Sequence, residues 1–96
     1  QMKIEITKMR LLALKNPKAI VSVLVDGCLA IHDIKIIALQ NGKTIVAMPS
    51  KPDKQGKYRD VVHPISAELR DYINNAILSE YQRQKMLTLG EENMVT

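Results

Sequence analysis

Residues 47–64 read AMPSKPDKQGKYRDVVHP. Lys51, Lys54, Lys57 and Arg59 crowd together here, with Asp53 the one carboxylate among them. Clustered lysines and arginines attract phosphate mainly by releasing condensed counterions, without reading base sequence. A solvated loop kept soluble by its charge would look the same, and composition does not separate the two. Arg70 follows at the start of a helical pattern, and Arg83 and Lys85 lie near its far end. Asn74 and Asn75 fall on the polar side of that pattern, where an amide could reach base edges. Tyr58, flanked by Lys57 and Arg59, could stack on an unpaired base or cover a sheet edge.

Other pairings invite different chemistry. His32-Asp33 and Asp60/His63 combine an imidazole with a carboxylate, the base-and-orienter pair of many hydrolases, with Ser50 or Ser66 as conceivable nucleophiles. No Gly-x-Ser-x-Gly elbow accompanies them. On an apolar strand, His32 reads better as a histidine bonded within the fold, so no enzyme activity is expected. Cys28, His32 and His63 would have to converge to hold zinc, yet they show no recurring ligand spacing. Cys28 reads better as a small buried residue. No metal or other cofactor is expected.

These residues need elements to carry them. KIEITKMRLLAL alternates at Ile4 and Ile6, then resumes at Met9 and Leu11, which predicts a strand with a bulge near Thr7 and Lys8. KNPK at 15–18 is a turn. AIVSVLVDG reads as a strand covered on both faces and ended by Asp26-Gly27. CLAIHDIKIIAL is a third strand, Asn41-Gly42 a hairpin, and TIVAMP a fourth strand stopped by Pro49. KYRDVV predicts a short fifth strand at an edge. Ser66 then caps a helix, with Glu68 in its first turn. Leu69, Ile73, Ala76, Ile77 and Tyr81 share one helix face, and the helix is expected to end near Lys85. Gly90 interrupts the polar residues that follow. The expectation is an α+β fold: an antiparallel meander of four to five strands, then a long C-terminal helix. One domain spans 2–87, and 88–96 form a flexible tail.

Ninety-six residues make a limited core, and the absence of Phe and Trp leaves it to aliphatic side chains. Pairing with a second copy would enlarge it. The net charge of +4 favours polyanionic partners. A lone Cys28 fits a reducing cytoplasm, and neither a spanning apolar run nor a signal core is present. Gln1 ahead of Met2 is read as an addition, with Met2 the natural start.

IHDIKII, IVAMPSK, GKYRDVVHPI and AILSEYQR, in this order and spacing, resemble the stage V sporulation protein G (SpoVG) family from about Lys8 to Arg83. The resemblance implies a bacterial, cytoplasmic homodimer, joined through its sheet, that binds DNA and in some members RNA. Such a regulator acts on gene expression, sporulation or cell division. By position it implies nucleic-acid contacts at Lys51, Arg59 and Arg70. Lys54 and Lys57 join that surface by charge, and Arg83 at its margin. The match departs from the family pattern at three places. DKQG stands where a Thr-Pro-Asp-Gly turn is common, Tyr72 replaces a basic helix residue, and Arg10 lacks basic neighbours. DNA or RNA and a second copy are thus the expected partners, with no membrane and no small-molecule substrate. The competing expectation is a non-catalytic protein-interaction module whose charge only aids solubility.

Overall fold

The structure, a computed structural model, describes residues 2–13 and 15–95, and from residue 88 onward the backbone alone. Four strands, β1 (Ile4–Leu11), β2 (Ala19–Val25), β3 (Leu29–Ala38) and β4 (Thr44–Ala47), form an antiparallel sheet in sequence order. The expected bulge is present: the β1–β2 register shifts between Ile6 and Lys8. It keeps Ile4, Ile6, Met9 and Leu11 on one face, opposite Val25, Val23, Val21 and Ala19.

That face carries the core. Ala19, Val21, Val23, Val25, Ile34 and Ile36 are buried beneath Ile73, Ile77 and Tyr81 of α1 (Ala67–Val95). Each fully buried Val or Ile contributes about 1.5–3 kcal/mol relative to exposure. The helix-face spacing of Ile73, Ile77 and Tyr81 is thus what docks α1. Leu69 and Leu78 pack beside them. Contrary to expectation, β2 is covered on one face only. Its alternate residues Ile20, Ser22 and Leu24 are half-buried, shielded sideways by neighbouring strands because no element lies over them.

The turns follow their signals. Gly42 has φ 86°, a left-handed conformation that favours glycine, and its N–H donates to Leu39 O at 3.0 Å. Asn16 closes the KNPK turn by using its side-chain amide as a strand would. Nδ2 donates to Ala38 O (3.0 Å) and Oδ1 accepts from Ala38 N (2.8 Å). Ser66 caps α1, its Oγ accepting from Leu69 N at 3.1 Å.

Three expectations change. The fifth strand does not extend the sheet: Tyr58–Asp60 (β6) pairs with Ser50–Pro52 (β5) as a separate two-stranded ribbon. Pro49 lies between β4 and β5, where its missing N–H interrupts the pairing. The helix continues through Val95 instead of ending near Lys85, so Gly90 does not break it. A glycine inside a helix costs only about 1 kcal/mol relative to alanine, too little to stop one already propagating. Cys28 is exposed, because it sits in the β2–β3 turn, where its N–H donates to Val25 O at 3.1 Å. The side chains of the expected 88–96 tail lie outside the described residues, as does Thr96 altogether.

Candidate nucleic-acid interface

The ribbon arranges the basic residues by simple strand alternation. Lys51 is the cross-strand partner of Arg59, so both project from the same ribbon face. Pro52 and Tyr58 pair on the opposite face, as do Ser50 and Asp60. Tyr58 is 73% exposed and therefore does not cover a sheet edge.

The tip is built around Asp53. Its backbone N–H donates to Lys57 O (2.8 Å) and its carbonyl accepts from Gly56 N (3.0 Å). Oδ1 accepts from the backbone N–H groups of Gln55 (2.8 Å) and Lys57 (3.0 Å), and Oδ2 from Arg59 Nε (3.2 Å). Gly56 supplies the left-handed residue at φ 83°. An aspartate bonding the backbone two and four residues on is a turn device in its own right. DKQG therefore needs no proline to hold its shape. Lys54 and Lys57 stand exposed at this fixed tip, and neither forms an ion pair among the described residues.

These bonds hold the Asp53 carboxyl below its ordinary value of 3.8. The Lys57 N–H has the largest effect; desolvation opposes it, while Gln55 N–H and Arg59 add to it. Because the folded value is depressed, the stabilisation is complete above 3.8 and is lost as pH falls through the lower native value. Amide exchange at Gly56 and Lys57 should accelerate in that acid window ahead of the β2 amides. Equal acceleration of both would show that Asp53 does not hold the tip.

The helix brings in the next cation. Arg70 Nη2 donates to Pro64 O at 3.2 Å, and its N–H donates to the Ser66 carbonyl at 3.1 Å, in the first helical turn. Arg59 and Arg70, with Tyr58, Asp60 and His63, line one open cleft of about 430 Å³ between ribbon and helix. Asn74, one turn beyond Arg70, lines the adjoining hollow with Arg70 and His63. Lys51, Lys54, Lys57, Arg59, Arg70 and Asn74 thus belong to the ribbon and the helix half beside it.

Arg83 does not join them. Thirteen residues of helix separate it from Arg70, roughly 20 Å at 1.5 Å per residue. It binds Glu80 through two bonds, Nε–Oε1 (3.0 Å) and Nη2–Oε2 (2.6 Å). Glu80 raises the Arg83 pKa and Arg83 lowers that of Glu80, as expected of a pair whose charges already offset. Lys85 Nζ lies over the Tyr81 ring, 5.2 Å from its centroid.

Among the described residues, neither His32 nor His63 bonds Ser50 or Ser66. His32 Nδ1 lies 2.9 Å from Ser22 Oγ, and His63 Nδ1 lies 3.1 Å from Pro64 O. Ser66 caps the helix, and Ser50 is in the ribbon. Among the described residues no three His, Cys, Asp or Glu side chains are placed to hold a metal ion. No helix among them is long and apolar enough to cross a membrane. Sequence reasoning missed the structural role of Asp53. The pattern Asp-x-x-Gly within a polar loop was the available signal.

The sequence model of the SpoVG family matches residues 2–83. The chain belongs to the SpoVG family. A protein of Caldicellulosiruptor saccharolyticus named "Putative septation protein SpoVG" is 42% identical over 90 residues, covering 91% of this chain and 99% of the relative. The proteins of that name from Clostridium perfringens (strain ATCC 13124) and Clostridium novyi are 46% and 47% identical. The first of these alignments covers 77% of this chain and 81% of the relative, the second 79% and 75%.

Proposed function

We infer that this SpoVG-family protein is a homodimeric nucleic-acid-binding regulator, acting on bacterial septation or sporulation as its relatives' names suggest. It binds DNA, with RNA as the second candidate ligand. The observation that carries the reading is the convergence of Arg59 and Arg70, from separate elements, on one open cleft beside exposed Tyr58. Lys51 extends that charge across the ribbon, and Lys54 and Lys57 extend it past the tip. Phosphate contacts of this kind position a protein; base reading falls to few residues, here Asn74. The function is binding, in the cytoplasm, without a cofactor or a catalytic step.

Dimerisation is supported by the small core and by the sheet face that no element covers, where Ile37 pairs with Ile45 at the β4 edge. Two copies would double the net charge of +4 presented to one duplex. Light scattering at micromolar concentration should give twice the chain mass; a monomer would remove the dimer.

The test is titration of purified protein into labelled duplex DNA and single-stranded RNA of mixed sequence across a salt series. Micromolar or tighter binding with a steep salt slope is expected. No binding at low salt would favour the competing protein-interaction module. That reading has its own observation: Ile65 is 92% exposed and Val61 62%, on the segment joining ribbon to helix. Passage through a heparin column at moderate salt would point the same way.

A further inference from the structure

The uncovered sheet face is not uniform. Toward the β3–β4 turn it is apolar, with Ile37 opposite Ile45. Its β1–β2 side is polar and basic. Arg10, Ile20 and Lys35 form one cross-strand row, and Lys8 lies opposite Ser22 in the next.

Two irregularities converge on Ser22. In β1, Thr7 is the extra residue between the Ile6–Val23 and Lys8–Ser22 pairs. In β3, Val21 pairs with Ile34 and Val23 with Ile31, so His32 and Asp33 both stand against Ser22. Asp33 adopts φ 65°, a left-handed conformation that costs a non-glycine residue about 1 kcal/mol. Bulges re-aim side chains and recur at functional sites. Here they open a concavity of about 510 Å³ over Ile20, with Lys8 and Arg10 on one side and His32 and Asp33 on the other.

Its inner groups are already oriented. Ser22 Oγ lies 2.9 Å from His32 Nδ1, and Thr7 Oγ1 donates to Ser22 O at 3.3 Å. With Nδ1 engaged, Nε2 is the ring nitrogen left for a ligand. Lys8 and Arg10 are exposed and form no ion pair among the described residues.

We propose that this concavity binds a phosphorylated small molecule of mononucleotide size. Lys8 and Arg10 take the phosphate, where charge-assisted bonds are strongest. His32 Nε2 completes the contact. The Asp33 carboxylate accepts from hydroxyl groups on the body of the ligand, and Ile20 provides an apolar floor. The volume lies within the range of small-molecule sites. Asp33 also decides between phosphate sources. A carboxylate beside two cations repels a string of backbone phosphates, yet it favours a single phosphate joined to a sugar. The site lies on the sheet face away from α1, apart from the ribbon–helix cleft, and does not depend on the nucleic-acid reading.

The test is a proton–nitrogen NMR titration of the full chain with adenosine monophosphate, inorganic phosphate and a short DNA duplex. Adenosine monophosphate should shift the Ser22, His32 and Asp33 amides saturably, with those of Lys54 and Gly56 unmoved. Inorganic phosphate should shift the same amides more weakly. Lys8→Ala with Arg10→Ala should weaken nucleotide binding about tenfold or more, as expected for charge-assisted bonds. Asp33→Asn should narrow the gap between nucleotide and inorganic phosphate. Four outcomes would overturn the proposal. These are no shift at the three amides, equal affinity for phosphate and nucleotide, no effect of the double substitution, or shifts there with duplex alone.

Discussion

Replacing Lys54 and Lys57 together with alanine should weaken duplex binding across all sequences and flatten its salt dependence by roughly 2 to 4 units per dimer. The arithmetic follows from geometry. Each lysine that neutralises one phosphate adds about 0.9 to the slope, and the dimer proposed above would lose four such contacts. The substitution is clean because the tip does not use either side chain. Asp53 holds the turn through the backbone N–H groups of Gln55 and Lys57, and both survive the change. Arg83→Ala is the matched control. It stands roughly 20 Å along α1 from Arg70, away from the ribbon, so the slope should scarcely move. An unchanged slope in the lysine variant, with binding intact, would take the ribbon tip out of the interface and leave Arg59 and Arg70 to explain the affinity.

Ile77→Ala should cost about 2–5 kcal/mol of folding stability. Ile77 is fully buried between α1 and the sheet, among Val21, Val23, Ile34 and Ile36, the largest wholly enclosed side chains. Removing its outer carbons leaves a cavity that rigid strand neighbours fill poorly. In a domain of this size each kcal/mol lowers Tm by about 4–8 °C, so a fall on the order of 8–40 °C is expected. Urea unfolding should show a lower midpoint with an unchanged slope. Met86→Ala, at a position 73% exposed on α1, should cost less than about 1 kcal/mol. Similar losses at both sites would mean that α1 is not docked through this face.

The sheet and helix were legible because apolar spacing changes wherever the backbone does. Ile4 and Ile6 followed by Met9 and Leu11 mark the β1 bulge in the sequence itself. The β3 bulge carries the same mark, Leu29 and Ile31 followed by Ile34 and Ile36, and went unread because the run is so apolar that the slip is easily passed over. β5 had no such mark. Ser50-Lys51-Pro52 is exposed throughout, so no buried face imprints a period on it, and proline argues against a strand. Of the candidate site, residue types could suggest the cluster, and the helix start could place Arg70. The pairing of Lys51 with Arg59 could not be read, since it depends on a ribbon whose register is set by Asp53 and Gly56. The distance of Arg83 from Arg70 follows from helix rise alone, and its bonds to Glu80 are an i,i+3 contact on the same helix.

The ribbon's separation from the main sheet has a consequence for how such a protein can change. β5 and β6 hydrogen-bond to each other, over the short span from Ser50 to Asp60, and to no strand of the core sheet. Their folding is therefore a local event, cheap in chain entropy and nearly independent of the aliphatic core. Substitutions at the tip and in the core should add without interaction. A lineage could rewrite the charges at Lys54, Gln55 and Lys57, and with them the choice of partner, while the scaffold keeps its full reserve of stability. The ribbon can change while the core that carries it stays as it is.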